Sequence, residues 1–133
     1  MKFKYKTSKI ANVKFGRNVE LIRPINLYGC QIGDNCFIGP FVEIQKNTKI
    51  GNRTRIQSHS FICELTTIGA DCFIGHGVMF INDKFSNGKL AGGKKNWIET
   101  NIGNNVLFGS NSTILPVNIC DDVVIGAGSV VTK

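Results

Sequence analysis

A chain of 133 residues with 42% apolar content supports one domain, spanning 1–133, whose core needs no disulfide framework. Sixteen Lys and Arg against nine Asp and Glu leave a net charge of +7, which favours a polyanionic partner such as a nucleotide, coenzyme A, nucleic acid or an acidic surface. No apolar run approaches membrane-spanning length, the five cysteines form no zinc-spaced cluster, and no nucleic-acid motif accompanies the charge, so neither membrane, metal nor nucleic acid is expected as a partner.

The N-terminal Met1-Lys-Phe-Lys-Tyr-Lys6 is basic, but no apolar core of signal-peptide length follows it, and a soluble cytoplasmic protein with reduced, buried thiols is expected. From Ile32 an aliphatic or aromatic residue returns at every sixth position: Ile38, Ile44, Ile50, Ile56, Ile62, Ile68, Ile74 and Phe80. The beat resumes at Ile102, Phe108 and Ile114, slips by one residue near Pro116, and continues at Ile119, Ile125 and Val131. Two positions before each anchor stands a small or β-branched residue, as at Cys36, Thr54, Ser60 and Cys72. Residues two apart share one face of a strand, so each hexad sends one large and one small side chain inward. Gly follows many anchors and is expected to make the corner. A short strand and a turn in six residues define a parallel β-helix, in which each unit buries its inner face against its neighbours.

With its small-x-aliphatic-Gly pattern, the stretch from Val13 to Thr132 resembles the left-handed β-helix acyltransferase superfamily. That resemblance implies an all-β fold of about six triangular coils and a homotrimer with sites between subunits. Three hexads per coil place residues eighteen apart one above the other, about 4.8 Å apart. Cys36, Thr54 and Cys72 then share an inner column, with the two thiols roughly 9 to 10 Å apart, too far for a disulfide.

Toward the middle of the chain, Glu64 and Asn82 each lie two residues beyond an anchor and eighteen apart, so they are expected to stack at a corner. Immediately afterwards the beat breaks, over about 83–100. This loop carries Lys84, Lys89, Lys94 and Lys95, Phe85 and Trp97, and several glycines. It reads either as a solvated loop or as a lid that reaches a neighbouring subunit and its ligand. The two histidines, His59 and His76, occupy different hexad positions and do not form a three-His zinc site. They read as polar wall residues, or as substrate contacts or an auxiliary base.

The segments Ser58-His-Ser-Phe-Ile-Cys-Glu64 and Gly75-His-Gly-Val-Met-Phe-Ile-Asn-Asp83 resemble the branch that N-acetylates nucleotide-linked 3-amino sugars for bacterial surface glycans such as O-antigen or S-layer polymers. The resemblance implies catalytic roles for Glu64 and Asn82, with His76 assisting, and substrate contacts at His59, Asp83 and Lys84. In the O-acetylating branch a His is expected about five residues after the Phe80 anchor, where this chain has Phe85. The chemistry fits an amine acceptor: a sugar hydroxyl needs a general base, whereas a neutral amine is already a nucleophile and needs placement.

The final Val123-Val-Ile-Gly-Ala-Gly-Ser-Val-Val-Thr-Lys133 resembles the superfamily's terminal coil, along which coenzyme A lies. The resemblance implies acetyl-CoA as co-substrate, contacted at Gly109, Ser110, Gly126, Ala127 and Lys133, with no metal. Backbone N–H groups of Gly109 or Ser110 are the candidate oxyanion donors. The superfamily's pattern continues past Thr132-Lys133 with a Pro-rich turn and a cap, so the chain is expected either to be truncated there or to be capped by a partner. The alternatives are a sugar O-acetyltransferase and a non-catalytic or truncated β-helix scaffold.

Overall fold

In the computed structural model, which describes residues 2–133, the six-residue beat becomes a triangular solenoid. Short strands, mostly of two residues, follow one another around three faces. The first coil consists of β1 (Ile10–Ala11), β2 (Lys14–Phe15) and β3 (Glu20–Leu21), and the chain reaches β19 at Val130–Val131. Every described pairing is parallel, and the strands stack into one seven-stranded and two six-stranded sheets. The fold is a left-handed parallel β-helix of six full coils plus the first strand of a seventh. Helix among the described residues is confined to a single 3-10 turn, Lys94–Asn96.

The anchors and their small partners form the core. Ile38, Ile44, Ile56, Ile62, Ile74, Val78 and Phe80 are fully buried, and each such aliphatic or aromatic side chain contributes on the order of 1.5–3 kcal/mol. Inner hydroxyls are satisfied across coils: Thr54 donates to the Gly69 carbonyl and Ser60 to that of Gly75, both at 2.8 Å. Cys36 and Cys72 are buried in one column with Thr54, as the register Phe37↔Arg55↔Phe73 requires. Cys120 departs from the expectation of buried thiols and is exposed.

The beat begins earlier than Ile32. Phe15, Leu21 and Leu27 stack under Ile32, Ile38 and Ile44, with a register one residue shorter than the later eighteen-residue step. The shortening lies at Gly29, whose φ of 62° makes a tighter corner. A later shortening, which pairs Ile102 with Ile119, flanks the buried Pro116.

The glycines that follow anchors do not turn the chain. The left-handed residue of most hexads is the third after the anchor, often Asn or Asp: Asn35, Asn47, Asp71, Asn105, Asn111 and Asp122 have φ between 55° and 62°. Asn and Asp tolerate this region because their short side chains bond locally. The anchor-following Gly instead leaves room for the coil above. A Cβ on Gly75 would sit 2.6 Å from the Phe108 carbonyl oxygen, a distance no packing relieves.

Candidate functional site

Three corners run along the prism, named here after the face each follows. At the first corner the anchor-following Gly is replaced by Tyr28, Gln45, Cys63 and Ile81 on successive coils, and the next column reads Gly29, Lys46, Glu64 and Asn82. Larger polar side chains therefore gather where the other corners carry glycine. Asn82 donates its side-chain amide to the Glu64 backbone carbonyl at 3.2 Å, which fixes the two residues one above the other. The Glu64 side chain is largely buried, and its own N–H is capped by the Gln45 side-chain oxygen at 3.2 Å. Gln45 in turn donates to Glu43, which also accepts from Asn26 at 3.1 Å. Leu65, just after Glu64, holds φ at 69°, a left-handed conformation that costs a non-Gly residue about 1–2 kcal/mol.

The long loop leaves and re-enters at this same corner. Thr66–Ile68 pairs in register with Thr100–Ile102, so the sheet passes the insertion without a break. The loop folds onto its own chain: Lys94, on the 3-10 turn, brings its ammonium 3.5 Å from the Glu64 carboxylate. Ile98 N–H closes the base of the loop on the Asn82 carbonyl at 3.1 Å. The hydrogen bond and charge of Lys94 hold the Lys46 amine below the ordinary lysine range, and the same contact, with Glu64, holds Lys94 above it. Tyr28 is pushed up by burial first and by Glu43 second, so its hydroxyl keeps its proton beside Gln45.

The other residues singled out in the sequence fall elsewhere. Asp83 uses both carboxylate oxygens on loop N–H groups, of Phe85 at 2.9 Å and Ala91 at 2.8 Å, and so shapes the loop. Lys84 is exposed on that loop. His59 and His76 are exposed at the third corner, where His59 stacks on Phe41 with ring centroids 4.9 Å apart. Gly109, Ser110, Gly126 and Ala127 continue that third corner upward: the His76 carbonyl accepts from Asn111 N–H, and the Ser110 carbonyl from Gly128 N–H, each at 2.9 Å. The Gly109 N–H is already donated to the Ile125 carbonyl at 2.8 Å, which removes it as an oxyanion donor. Lys133, two residues past its anchor, belongs by register to the first corner and not to this group. Among the described residues no group of His, Cys, Asp and Glu is arranged to hold a metal ion.

Lys94, Lys46, Gln45 and Tyr28 were not singled out as site residues in the sequence. Counting down the column that pairs Glu64 with Asn82 leads to Lys46, and the neighbouring column to Gln45. No periodicity reaches Lys94, because the loop obeys none.

A buried carboxylate and a stacked amide beside an inserted loop, on a hexapeptide β-helix, define a solenoid with one elaborated corner. A family model described as bacterial transferase hexapeptide (six repeats) matches residues 29–64, and one described as hexapeptide repeat of succinyl-transferase matches 99–133. The chain belongs to the hexapeptide-repeat acyltransferase superfamily. It is 37% identical over 59 residues to the bifunctional protein GlmU of Xylella fastidiosa, covering 44% of this chain and 13% of that protein. It is 34% identical over 76 residues to GlmU of a Picosynechococcus species, covering 56% and 16%. The chain thus spans less than a fifth of the length of these curated relatives. Among solved structures, a mutant of AntD, an N-acyltransferase from Bacillus cereus in complex with dTDP and coenzyme A, aligns with 86% of this chain and 70% of its own. That alignment has a TM-score of 0.43 at 22% identity.

Proposed function

We propose that this chain is an acetyl-CoA-dependent N-acetyltransferase acting on the amine of a dTDP- or UDP-linked 3-amino sugar, in the cytoplasmic synthesis of bacterial surface glycans. The observation that carries this reading is the Lys94 ammonium lying 3.5 Å from the buried Glu64 carboxylate beside Asn82. The first corner accepts a primary ammonium, the same group the acceptor would present. Glu64 is assigned as the proton acceptor, and His76, exposed at the third corner, assists from a neighbouring chain.

In this scheme Glu64 receives the sugar ammonium, takes a proton from it and orients the freed lone pair. The amine nitrogen forms a bond to the thioester carbonyl carbon, the C–S bond breaks, and the proton shed by nitrogen ends on the CoA sulfur as the free thiol. Asn82, already tied to the Glu64 backbone, holds the carboxylate's frame while its side-chain oxygen accepts from the amine. Ser110 remains the candidate backbone donor to the oxyanion. Because Glu64 and Asn82 stand at the first corner and Ser110, Gly126 and Ala127 at the third, a trimer that apposes the first corner of one chain to the third of its neighbour brings the halves together.

The test is thiol release from acetyl-CoA with a panel of dTDP- and UDP-linked 3-amino sugars. Glu64→Gln keeps the shape and removes the proton acceptor, and is expected to lower kcat by about 10²–10⁴-fold. Asn82→Ala is expected to lower kcat/KM with a smaller effect. Absence of turnover with every amine, together with absence of CoA binding, would sink the reading.

A further inference from the structure

Residues Tyr5 to Lys9 run across the outer surface of the first face and enclose a groove of about 770 Å³, lined by Tyr5, Lys6, Lys9, Asn26, Tyr28 and Glu43. The segment is fixed at its inner end, where Lys9 offers its carbonyl to Leu27 N–H at 2.9 Å and its N–H to the Asn26 side chain at 3.4 Å. Lys2 and Lys4, just before the segment, add to the positive field, and no acidic residue precedes Glu20. The one carboxylate on the groove's floor, Glu43, is occupied by Asn26 and Gln45 and faces them. A relay of hydrogen bonds then leads from the groove to the reacting corner, through Glu43 and Gln45 to the Glu64 N–H.

Lysines beside aromatic rings are the chemistry that receives phosphates next to a planar base. We propose that this groove binds the nucleoside diphosphate half of the acceptor, with Tyr5 and Tyr28 against the base and Lys6 and Lys9 against the phosphates. The inference rests on the proposed acetyl transfer for the identity of the ligand, and it explains why the sugar arrives at Glu64: the relay joins the groove and the corner along one edge of the first face. A groove of this volume matches a nucleotide, since small-ligand sites commonly enclose about 300–1,000 Å³. Coenzyme A also carries a nucleoside diphosphate, so the two sources of that chemistry are separated by experiment.

Binding of dTDP and of UDP, neither of which has an amine, is measured on the full chain by calorimetry, beside binding of coenzyme A. Tyr5 is strongly exposed and Lys6 and Lys9 are exposed, so Tyr5→Ala and the double variant Lys6→Ala/Lys9→Ala are expected to fold as the parent does. The double variant is expected to bind dTDP or UDP at least about tenfold more weakly, a change of roughly 1.4 kcal/mol, and Tyr5→Ala to weaken binding at any salt concentration. Unchanged affinity in both variants, no binding of either nucleotide by the parent, or weakening confined to coenzyme A overturns the inference. The two readings fail separately. Acetyl transfer whose KM for the amino sugar is untouched by the variants removes this groove and keeps the reaction. Nucleotide binding that depends on the lysines, in a chain that acetylates no amine, keeps the groove and removes the reaction.

Discussion

Four thiols are buried, Cys30, Cys36 and Cys72 in the inner columns and Cys63 at the first corner, and burial raises them all: Cys30 is pushed up to about 11, and the other three move the same way. The folded chain therefore keeps protons that the unfolded chain, with thiols near 9.0, has already released. Below pH 9 both states are protonated and the thiols contribute fully to stability. Above it the unfolded state binds fewer protons, and stability falls by up to about 1.4 kcal/mol per pH unit per thiol. Thermal midpoints are expected to hold steady from neutral pH and to fall from about pH 9, with a shallower fall in Cys30→Ala; a profile flat to pH 11 contradicts the assignment. In native protein only Cys120 is expected to react quickly with an alkylating reagent, since the thiolate is the reactive form and the other four are buried and neutral.

At the scale of the element, the hexad divides two tasks that the sequence reading assigned to glycine alone. The left-handed turn falls to the third residue after the anchor, and the Gly after the anchor is needed only where another coil lies close above it. Gly75→Ala forces a Cβ to within 2.6 Å of the Phe108 carbonyl oxygen, whereas at Gly126 the nearest atom would be the Ser129 hydroxyl at 3.6 Å. The first substitution is expected to destabilise by about 1–3 kcal/mol and the second to be close to neutral in denaturant melts. Equal losses at both positions would show that backbone conformation, not room, is what these glycines supply. The beat itself was legible because the inward residues obey one period from Ile32 to Phe80. The four strands before it fall outside that count because the shortening at Gly29 shifts β2, β3 and the next strand by one place and a further five-residue step from Ile10 to Phe15 shifts β1 again, and a one-residue shift hides a period from anyone counting in sixes. The Glu64 and Asn82 stack was legible for the same reason as the coils, being a column of the repeat. Lys94 was not, because its approach to Glu64 depends on how an aperiodic loop folds back.

For the molecule as a whole, the question is whether the loop belongs to the fold or only to its surface. Thr66 pairs with Thr100 where the eighteen-residue step would have placed Lys84, so the excursion is an insertion between two strands already in register on the coils above and below. Its side chains add little to the core: residues 84–90 are exposed, and Ala91 and Trp97 are the half-covered ones between there and Glu99. In a stacked repeat, stability comes from each coil's contact with its neighbours, and closing the same gap with a shorter connection costs less loop entropy. Replacing residues 85–97 with a short Gly-Ser connection is therefore expected to leave the thermal midpoint within a few degrees, about what 1 kcal/mol moves in a domain of this size. The same variant loses the Lys94 contact and the cover over Glu64, and is expected to lose most thiol release from acetyl-CoA while retaining the circular dichroism of the β-helix. A midpoint that collapses would make the loop a structural strap, and full turnover without it would place the reacting amine away from the first corner.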